Sequence, residues 1–368
     1  MKPSLSVFPE RLYALDALRG LAALAVVFWH WQHFFFLGSV PGPLLREEQP
    51  LYSVFSLFYR HGGDAVSLFF SLSGFIFFWL FGQALARREL SGRQFFIDRF
   101  SRIYPLHLAT FVAVALLQKV YAGYTGHGFV YPFNDLYHGL LNLFLAPAWG
   151  FEQGWSFNAP AWSISVEVLL YAAFFLLWRY TPAPLSGSAL LALVAIWVFP
   201  AQYKISLGVF GFFCGGLAYV GVAWLLRRFS GRWVGAAMAL ACAAAWWLFA
   251  AFGADSPSIK FALLFPLTVA AIAACHRWLE PFARRLAWLG DISYASYLLH
   301  FPLQIVAALL ADKFFPGRAV FYHPWSLLLF FSVLIVASLL CHLWFERPLQ
   351  RWLRQRARHA ATGLAAAR

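Results

Sequence analysis

Charged residues are scarce in this sequence. Only 12% of its 368 residues are Asp, Glu, Lys or Arg, whereas about a quarter of a soluble domain is charged. Apolar residues make up 62% of the chain, which is far more than a soluble protein of this length has room to bury. The composition therefore excludes an ordinary soluble protein and predicts an all-α, polytopic membrane protein.

Cysteine is rare as well. The four cysteines, Cys214, Cys242, Cys275 and Cys341, stand far apart in apolar segments, and the chain has no CxxC motif and no Cys/His cluster. We therefore predict no metal site and no disulfide framework. The net charge of +13 would suggest a nucleic-acid partner in a soluble protein. In a membrane protein, the distribution of Lys and Arg between loops explains it without nucleic acid.

Ten apolar segments approach the length that spans a bilayer. They cover 15–36, 64–85, 104–122, 161–179, 186–202, 206–226, 233–252, 258–275, 292–312 and 325–345. We therefore predict about ten transmembrane helices, joined by short loops except for two long outer loops at 37–63 and 123–160. Loops of that length in a compact protein are usually functional.

Lys and Arg gather on one side of these predicted spans. If the N-terminus is cytoplasmic, 21 of the 28 Lys and Arg residues lie on the cytoplasmic side and 7 lie outside. This bias predicts that both termini are cytoplasmic. Residues 347–368 form a basic tail with interleaved Leu and Trp, which we expect on the inner membrane surface.

The first apolar segment, LDALRGLAALAVVFWHW at 15–31, contains ionisable residues. Arg19 and His30 are 11 residues apart, so on an α-helix they point the same way and lie roughly 16 Å apart along the axis. Arg19 has a structural alternative as a surface anchor paired with Asp16, and His30 has one as an aromatic-belt residue. Because ionisable residues are costly in a bilayer, their shared face favours a functional role.

An arginine-rich stretch, 87–105, precedes the third predicted span. Arg99 and Arg102 are three residues apart, a spacing at which two guanidinium groups can clamp a phosphate. The positive-inside rule explains any single arginine there. Five arginines within 16 residues nevertheless favour a phosphate-bearing ligand.

Glu167 lies about two turns inside the fourth predicted span, and Ser163 shares its face four residues earlier. A carboxylate inside a span needs either a partner or a function. We favour a functional role for Glu167. The alternative is a structural tie to an arginine or to a backbone group.

Other polar residues in the spans have structural interpretations. Ser67, Ser71 and Gly74 share one helix face, which suits close helix packing and contact with a slender ligand about equally. His300, in the ninth predicted span, is interpreted as a packed, hydrogen-bonded core histidine. Three residues near span ends are interpreted as caps and anchors: Asp291, Glu346 and Arg347.

Taken together, these stretches resemble membrane-bound acyltransferase family 3, the bacterial O-acyltransferases that modify surface polysaccharides, lipopolysaccharide and related glycans. The resemblance is colinear over roughly residues 11–350. The first span has the family's pattern of Arg, ten residues, then His, and LFFSLSGF, RFSRIYP, WSISVEV and ISYASYLLHFPL resemble its later signatures. The matching residues are Arg19, His30, Ser73, Gly74, Phe75, Arg99, Arg102 and Glu167.

The resemblance implies one transmembrane acyltransferase domain at 1–346, in the inner (plasma) membrane. It implies a cytoplasmic acyl-coenzyme A donor, with acetyl as the acyl group, and an acceptor hydroxyl on an extracytoplasmic glycan. The donor's phosphates would lie on Arg99 and Arg102, with Arg19 and Ser73 also contributing to donor binding. The pantetheine arm would run outward toward His30.

His30 would then act as a general base on the acceptor hydroxyl, and Glu167 would orient the imidazole and stabilise its charged form. An acyl-histidine intermediate is an open alternative. A transporter or flippase without covalent chemistry is the alternative function. We see neither an inverted repeat nor Gly/Pro-broken helices in matching halves, which argues against it.

Overall fold

The computed structural model describes residues 7–198, 202–252, 256–315 and 317–366. Lys2 and Arg368, which enter the charge count, and the end of the span predicted at 186–202 lie outside these residues. The described chain is helical almost throughout, apart from loops and one antiparallel hairpin of two-residue strands, β1 (Phe36–Leu37) and β2 (Val40–Pro41). The all-α prediction is confirmed.

The described residues form fifteen α-helices. They are α1 (Tyr13–Trp29), α2 (Tyr52–His61), α3 (Ala65–Phe77), α4 (Gln83–Ala86), α5 (Gly92–Thr125), α6 (Leu136–Leu143), α7 (Trp162–Tyr180), α8 (Pro184–Val198), α9 (Tyr203–Arg228), α10 (Gly231–Phe252), α11 (Pro257–Ile259), α12 (Phe265–Ala274), α13 (His276–Phe314), α14 (Pro324–Cys341) and α15 (Arg347–Ala366). Short π-helical segments at Phe78–Gly82, Lys260–Leu264 and His342–Glu346 continue α3, α11 and α14 into the helices that follow them. Short 3₁₀ turns lie at His30–Phe35, Arg46–Glu48, Gly62–Asp64, Ala159–Ala161 and Ala319–Tyr322.

Local sequence signals explain several helix ends. Proline opens α8, α11 and α14, where its missing N–H group has no helical partner to lose. The Ser91 hydroxyl accepts a hydrogen bond from the Gln94 N–H at 3.2 Å and caps the start of α5. The same helix ends at Gly126, whose φ of +80° is a left-handed conformation that glycine adopts without strain.

Nine helical stretches of the described chain are long and apolar enough to cross a membrane. They are Tyr13–Phe35, Tyr52–Ala86, Gly92–Thr125, Ala159–Tyr180, Tyr203–Arg228, Gly231–Phe252, Pro257–Ala274, His276–Phe314 and Pro324–Ala357. The remaining predicted span, 186–202, corresponds in its described part to a shorter apolar helix, Pro184–Ala195. The polytopic membrane fold is confirmed, and the cytoplasmic position of both termini stays a prediction.

The chain divides into two compact units. The first comprises the described residues within Met1–Ala22, Asp64–Leu90 and Val166–Asp291. Its central contact is between α3 and α9, whose backbones touch. A Cβ atom on Gly74 would overlap the Phe212 carbonyl, and one on Gly215 would overlap the Ser71 carbonyl. The stripe formed by Ser67, Ser71 and Gly74 therefore serves close helix packing, one of its two interpretations.

Substitution of Gly74 by alanine should destabilise the first unit, because the added methyl group has no space against the Phe212 backbone. Overpacking of this kind costs about 1–3 kcal/mol or more. We expect Gly74→Ala to lower the apparent melting temperature and the yield of monodisperse protein in detergent. Gly221→Ala, in α9, is the matched control because no heavy atom lies within 4 Å of a Cβ there. Equal melting temperatures for the two variants would contradict the packing.

The second unit comprises the described residues within Ala23–Gly63, Ser91–Ser165 and Ile292–Arg368. Its core is strongly aromatic, and Trp31, Phe34 and Phe301 are fully buried in it. Phe129 and Tyr131, from the loop predicted at 123–160, pack into the same core. The long loop is therefore an ordered part of this unit rather than a separate appendage.

Two expectations about helix ends differ from the structure, and a third residue near a span end has a partner on its own helix. The third span was expected to begin at Tyr104, but α5 begins at Gly92, because its arginine-rich first turns are helical although too polar to read as a span. Asp291 does not cap a helix, since α13 runs through it, and its carboxylate instead accepts a hydrogen bond from Arg11 at 3.0 Å. Glu346 pairs with His342 at 2.9 Å.

The basic tail is helical as α15 and packs against α5 within the second unit. Arg354 lies 3.1 Å from the Asp98 carboxylate and donates to the Asp98 carbonyl oxygen at 3.2 Å. On its exposed side, the Arg356 guanidinium lies 4.4 Å from the centroid of the half-exposed Trp352 ring. A cation over an indole suits a lipid headgroup region. The position of the tail on the inner membrane surface stays a prediction.

Candidate active site

His30 lies where the first helix changes its winding. The α-helix α1 ends at Trp29, and His30 opens the 3₁₀ turn that runs to Phe35. The expectation that Arg19 and His30 share one regular α-helix therefore holds only as far as Trp29. Gln304, on α13, donates its amide N–H to the His30 carbonyl oxygen at 2.8 Å and so ties the 3₁₀ turn to α13.

Three buried histidines meet at this turn in the second unit. The exposed fractions of His30, His33 and His300 are 7%, 4% and 0%. His30 Nδ1 lies 3.2 Å from His300 Nε2, and the two rings stack with centroids 4.9 Å apart. His33 Nδ1 lies 3.0 Å from the Gln304 side-chain oxygen. The interpretation of His300 as a packed, hydrogen-bonded histidine is confirmed, and its partner is the predicted catalytic residue.

The rest of the 3₁₀ turn is braced by the segment after α13. Trp31 donates its indole N–H to the Phe321 carbonyl oxygen at 3.0 Å, and the Phe34 and Phe321 rings stack at 3.8 Å. Arg318 donates to the Phe34 carbonyl oxygen at 3.1 Å and is itself held by the Asp312 carboxylate at 2.6 and 2.7 Å. These contacts fix the backbone that carries His30, which is what a catalytic group needs.

Glu167 lies on α7, in the first unit, and is held by two hydroxyl groups. Its Oε1 atom accepts hydrogen bonds from the Tyr171 hydroxyl at 2.6 Å and from the Ser73 hydroxyl at 3.2 Å. The structure thus brings together Ser73 and Glu167, two predicted site residues that are 94 positions apart. Ser163, expected beside Glu167, instead bonds to the Tyr297 hydroxyl at 2.9 Å within the second unit.

Arg19 also lies in the first unit and has structural partners. One guanidinium nitrogen lies 3.2 Å from the Asp16 carboxylate, as the sequence spacing predicted, and donates to the Gly290 carbonyl oxygen at 2.8 Å. Asp16 is in turn paired with Arg11 at 2.6 Å. These contacts support the structural role proposed for Arg19, and a contribution to donor binding stays a prediction.

Arg99 and Arg102 lie on consecutive turns at the start of α5, in the second unit. Arg99 is half-buried and Arg102 is exposed. Asp98, which directly precedes Arg99 on the helix, is paired with Arg354 of α15, whose Nε also lies 3.3 Å from the Ser101 hydroxyl. The neighbouring carboxylate is therefore neutralised by the tail, which leaves a basic surface at this end of α5.

Sequence reasoning missed three members of the two clusters. Tyr171 follows Glu167 by four residues, and His33 follows His30 by three, so helical spacing was an available signal for both. Tyr131 had no such signal, because its hydroxyl reaches His33 Nε2, at 3.3 Å, across 98 positions of chain. Burial raises the pKa of the Tyr131 phenol, so it keeps its proton and is the donor in this bond.

Among the described residues, no group of three or more His, Cys, Asp or Glu side chains is arranged to hold a metal ion. The chemistry that the two clusters offer directly is proton transfer at an imidazole and electrostatic stabilisation by a carboxylate. A neutral imidazole can accept a proton near neutral pH, and a half-buried carboxylate can stabilise positive charge.

Comparisons with known proteins agree with this chemistry. A family model for acyltransferase family 3, described as "Acyltransferase domain", matches residues 12–347. "Acyltransferase MdmB" of Streptomyces mycarofaciens is 29% identical, covering 94% of this chain and 93% of its own length. "Protein 2 in picA locus" of Rhizobium radiobacter is 31% identical, over 45% of this chain and 82% of its own. No solved structure matches the chain significantly.

Proposed function

Because the chain belongs to acyltransferase family 3, we propose that it transfers an acyl group from cytoplasmic acyl-coenzyme A to a hydroxyl group of an extracytoplasmic glycan. The enzyme is a multi-pass membrane acyltransferase. Acetyl is the proposed acyl group, a polysaccharide or lipopolysaccharide is the proposed acceptor, and the inner membrane is the proposed location. Because the chain belongs to an acyltransferase family, we favour acyl transfer over the alternative of a transporter or flippase.

The observation that carries this proposal is the cluster of buried histidines around the 3₁₀ turn. His30, His33 and His300 lie within helical stretches long and apolar enough to cross a membrane. Imidazoles in such positions are expensive and usually serve a function. Group transfer to a hydroxyl needs a base that works near neutral pH, and imidazole is the side chain best suited to that task.

In the proposed reaction, the His30 imidazole takes the proton of the acceptor hydroxyl as its oxygen attacks the thioester carbonyl carbon. An O–C bond forms, the C–S bond breaks, and the imidazolium returns the proton to the departing sulfur, which leaves as the coenzyme A thiol. We assign Glu167 to electrostatic stabilisation of that imidazolium. The Tyr171 and Ser73 hydroxyls support this role, because they fix the carboxylate in one orientation.

We assign Arg99 and Arg102 to the phosphates of the donor, with Arg19 and Ser73 as further contributors to donor binding. Guanidinium groups bind phosphate in bidentate fashion, and the neutralisation of Asp98 by Arg354 favours an anionic ligand at this end of α5. The donor would therefore be bound from the side on which these arginines lie, which the charge bias predicts to be cytoplasmic.

The arginine assignment is tested by donor affinity. We expect the double variant Arg99→Ala/Arg102→Ala to raise the KM for acetyl-coenzyme A by about tenfold or more, since a hydrogen bond to a charged group is worth about 1.5–3 kcal/mol. The double Lys variant should restore only part of the affinity, because lysine lacks the planar fork. Release of the free thiol, followed with a thiol-reactive dye, measures the rate.

Arg227→Ala/Arg228→Ala is the matched control. It removes two exposed arginines from the end of α9, which is predicted to face the same side of the membrane. Its KM for the donor should equal that of the unmodified enzyme. If the two double variants have the same donor KM, Arg99 and Arg102 are topology anchors and do not bind the donor.

A further inference from the structure

The hydrogen-bonding partners of the histidine cluster determine which nitrogen of each ring carries hydrogen. His300 Nδ1 lies 2.7 Å from the Tyr297 carbonyl oxygen. A carbonyl oxygen can only accept, so Nδ1 of His300 must carry the hydrogen. In a neutral imidazole the other nitrogen, Nε2, then holds a lone pair. This is the atom of His300 that faces His30.

The tautomer of His300 determines the tautomer of His30. Since His300 Nε2 presents a lone pair, the His30 Nδ1 atom 3.2 Å away must carry the hydrogen and donate it. The His30 ring also hydrogen-bonds to the Val26 carbonyl oxygen, which can only accept. With Nδ1–H as the donor shared by Val26 and His300, the lone pair of His30 lies on Nε2. The hydrogen bond made by one ring nitrogen is what normally decides which tautomer a histidine adopts.

The tautomer of His33 follows from its hydrogen-bonding partners in the same way. The Gln304 amide nitrogen donates to the His30 carbonyl, so the Gln304 oxygen must accept from His33 Nδ1. His33 Nε2 then holds a lone pair, which accepts from the Tyr131 hydroxyl at 3.3 Å. The lone pairs of His33 and His300 are both occupied by protein donors, whereas that of His30 is directed to Nε2.

The stretch of α13 that carries the Tyr297 carbonyl is held in place by contacts to the Tyr297 side chain and to the next residue. Tyr297 donates its hydroxyl to the Pro160 carbonyl oxygen at 2.5 Å, so the Ser163 hydroxyl, 2.9 Å away, donates to Tyr297. Asn158 also donates to the Leu298 carbonyl oxygen, at 3.0 Å. The segment before α7 therefore fixes Tyr297 and Leu298 of α13. The Tyr297 carbonyl, from which the tautomer of His300 is assigned, thus lies on a rigid part of the helix.

We propose that His300 is a positioning residue that, through the relay from the Tyr297 carbonyl, holds His30 as the Nδ1–H tautomer and so makes Nε2 the atom that takes the acceptor's proton. This inference rests on the proposed function of His30 as the base. After the hydroxyl proton has moved to Nε2, His30 is a cation, and the His300 lone pair stabilises it through the Nδ1–H bond. The proton on Nε2 is the one that the departing sulfur receives.

Two substitutions of His300 separate the relay from packing. His300→Leu fills the site without an acceptor for His30 Nδ1–H, so we expect kcat to fall by about 10- to 100-fold, part of the 10²–10⁴-fold that a general base supplies. The KM for acetyl-coenzyme A should not change. His300→Gln places an amide oxygen near the position of Nε2, so it should restore much of the lost kcat. A packing role would not produce this rescue.

His107→Gln is the matched control, because His107 is also a buried histidine of the second unit, with Nε2 hydrogen-bonded to the Asn142 carbonyl at 2.8 Å. Its kcat should equal that of the unmodified enzyme. Folding of every variant is checked by its melting temperature in detergent.

Nitrogen-15 spectra of histidine-labelled protein in bilayers test the tautomer directly in the unmodified enzyme. The His30 signals, identified by their loss in His30→Gln, should show a hydrogen on Nδ1 and a lone pair on Nε2. A hydrogen on Nε2 in the unmodified enzyme would overturn the inference, and so would folded His300→Leu protein with unchanged kcat. If His30→Gln is inactive in that case, the proposed function stands and only the role of His300 falls. If His30→Gln is active, both fall.

Discussion

His30→Gln should lower kcat by about 10²–10⁴-fold, the usual contribution of a general base. Glutamine has a similar size and is polar, but its amide cannot take a proton from the acceptor. The fold should survive, because the brace on the 3₁₀ turn acts through the backbone: Gln304 binds the carbonyl of residue 30 and Arg318 binds that of Phe34. Thiol release and acylation of the glycan should fall together.

The variant is compared with His107→Gln, which makes the same substitution at another buried histidine and should keep its full rate. Binding of the donor by His30→Gln, measured by isothermal titration, should be close to that of the unmodified enzyme, since the arginines proposed to bind the phosphates are intact. Glycan acylation within about twofold of the unmodified rate, where a base is worth about 10²-fold or more, would rule out His30 as the base.

Glu167→Gln should have the second-largest effect. Oε1 of Glu167 already accepts from Tyr171 and Ser73, and a glutamine oxygen can accept both bonds, so the substitution removes charge and little else. If the carboxylate stabilises the imidazolium, kcat should fall by about 10- to 1,000-fold, the range seen when a group that stabilises transition-state charge is lost. The donor KM should stay the same, because this charge is needed only as the reaction proceeds.

Two control variants separate the effect of the Glu167 charge from other effects of the substitution. Tyr171→Phe leaves the charge and removes one of the two hydroxyl donors, so its effect on kcat should be much smaller than that of Glu167→Gln. Glu346→Gln removes another half-buried carboxylate, which pairs with His342 at 2.9 Å, and should leave kcat unchanged. If Glu167→Gln and Glu346→Gln had equal kcat values, Glu167 would be a structural tie only.

Hydropathy predicted the spanning helices because long apolar runs are explicit in a sequence. It placed the start of α5 a dozen residues too late, since the turns that carry Arg93 and Arg99 are helical but charged. It also misjudged Asp291, because a polar residue between apolar runs looks like a helix end when the helix in fact continues. The apolar membrane-spanning segments were thus predictable, whereas the distance by which a helix extends beyond its apolar segment was not.

Sequence could single out the candidate residues that belong to a local motif. His30 and Glu167 are two such residues, each in its own motif. The contacts that define their chemistry join distant parts of the chain: His300 is 270 positions from His30, and Gln304 is 274 positions from the carbonyl that it holds. No local pattern encodes such pairs. The change of α1 into a 3₁₀ turn at His30 was likewise hidden, because it is stabilised by Gln304, Arg318 and Phe321.

Transfer of label across sealed vesicles tests the central claim most directly. Inside-out vesicles containing the enzyme and lumenal glycan acceptor, given [¹⁴C]acetyl-coenzyme A outside, should accumulate labelled glycan in the lumen, and vesicles with His30→Gln should not. Right-side-out vesicles given external donor should remain unlabelled until donor is loaded inside. The charge bias predicts this orientation, and the proposed phosphate site on α5 predicts the side from which donor is taken. Label transferred by right-side-out vesicles from external donor, or label in lumenal glycan with His30→Gln, would contradict acyl transfer from a cytoplasmic thioester through His30.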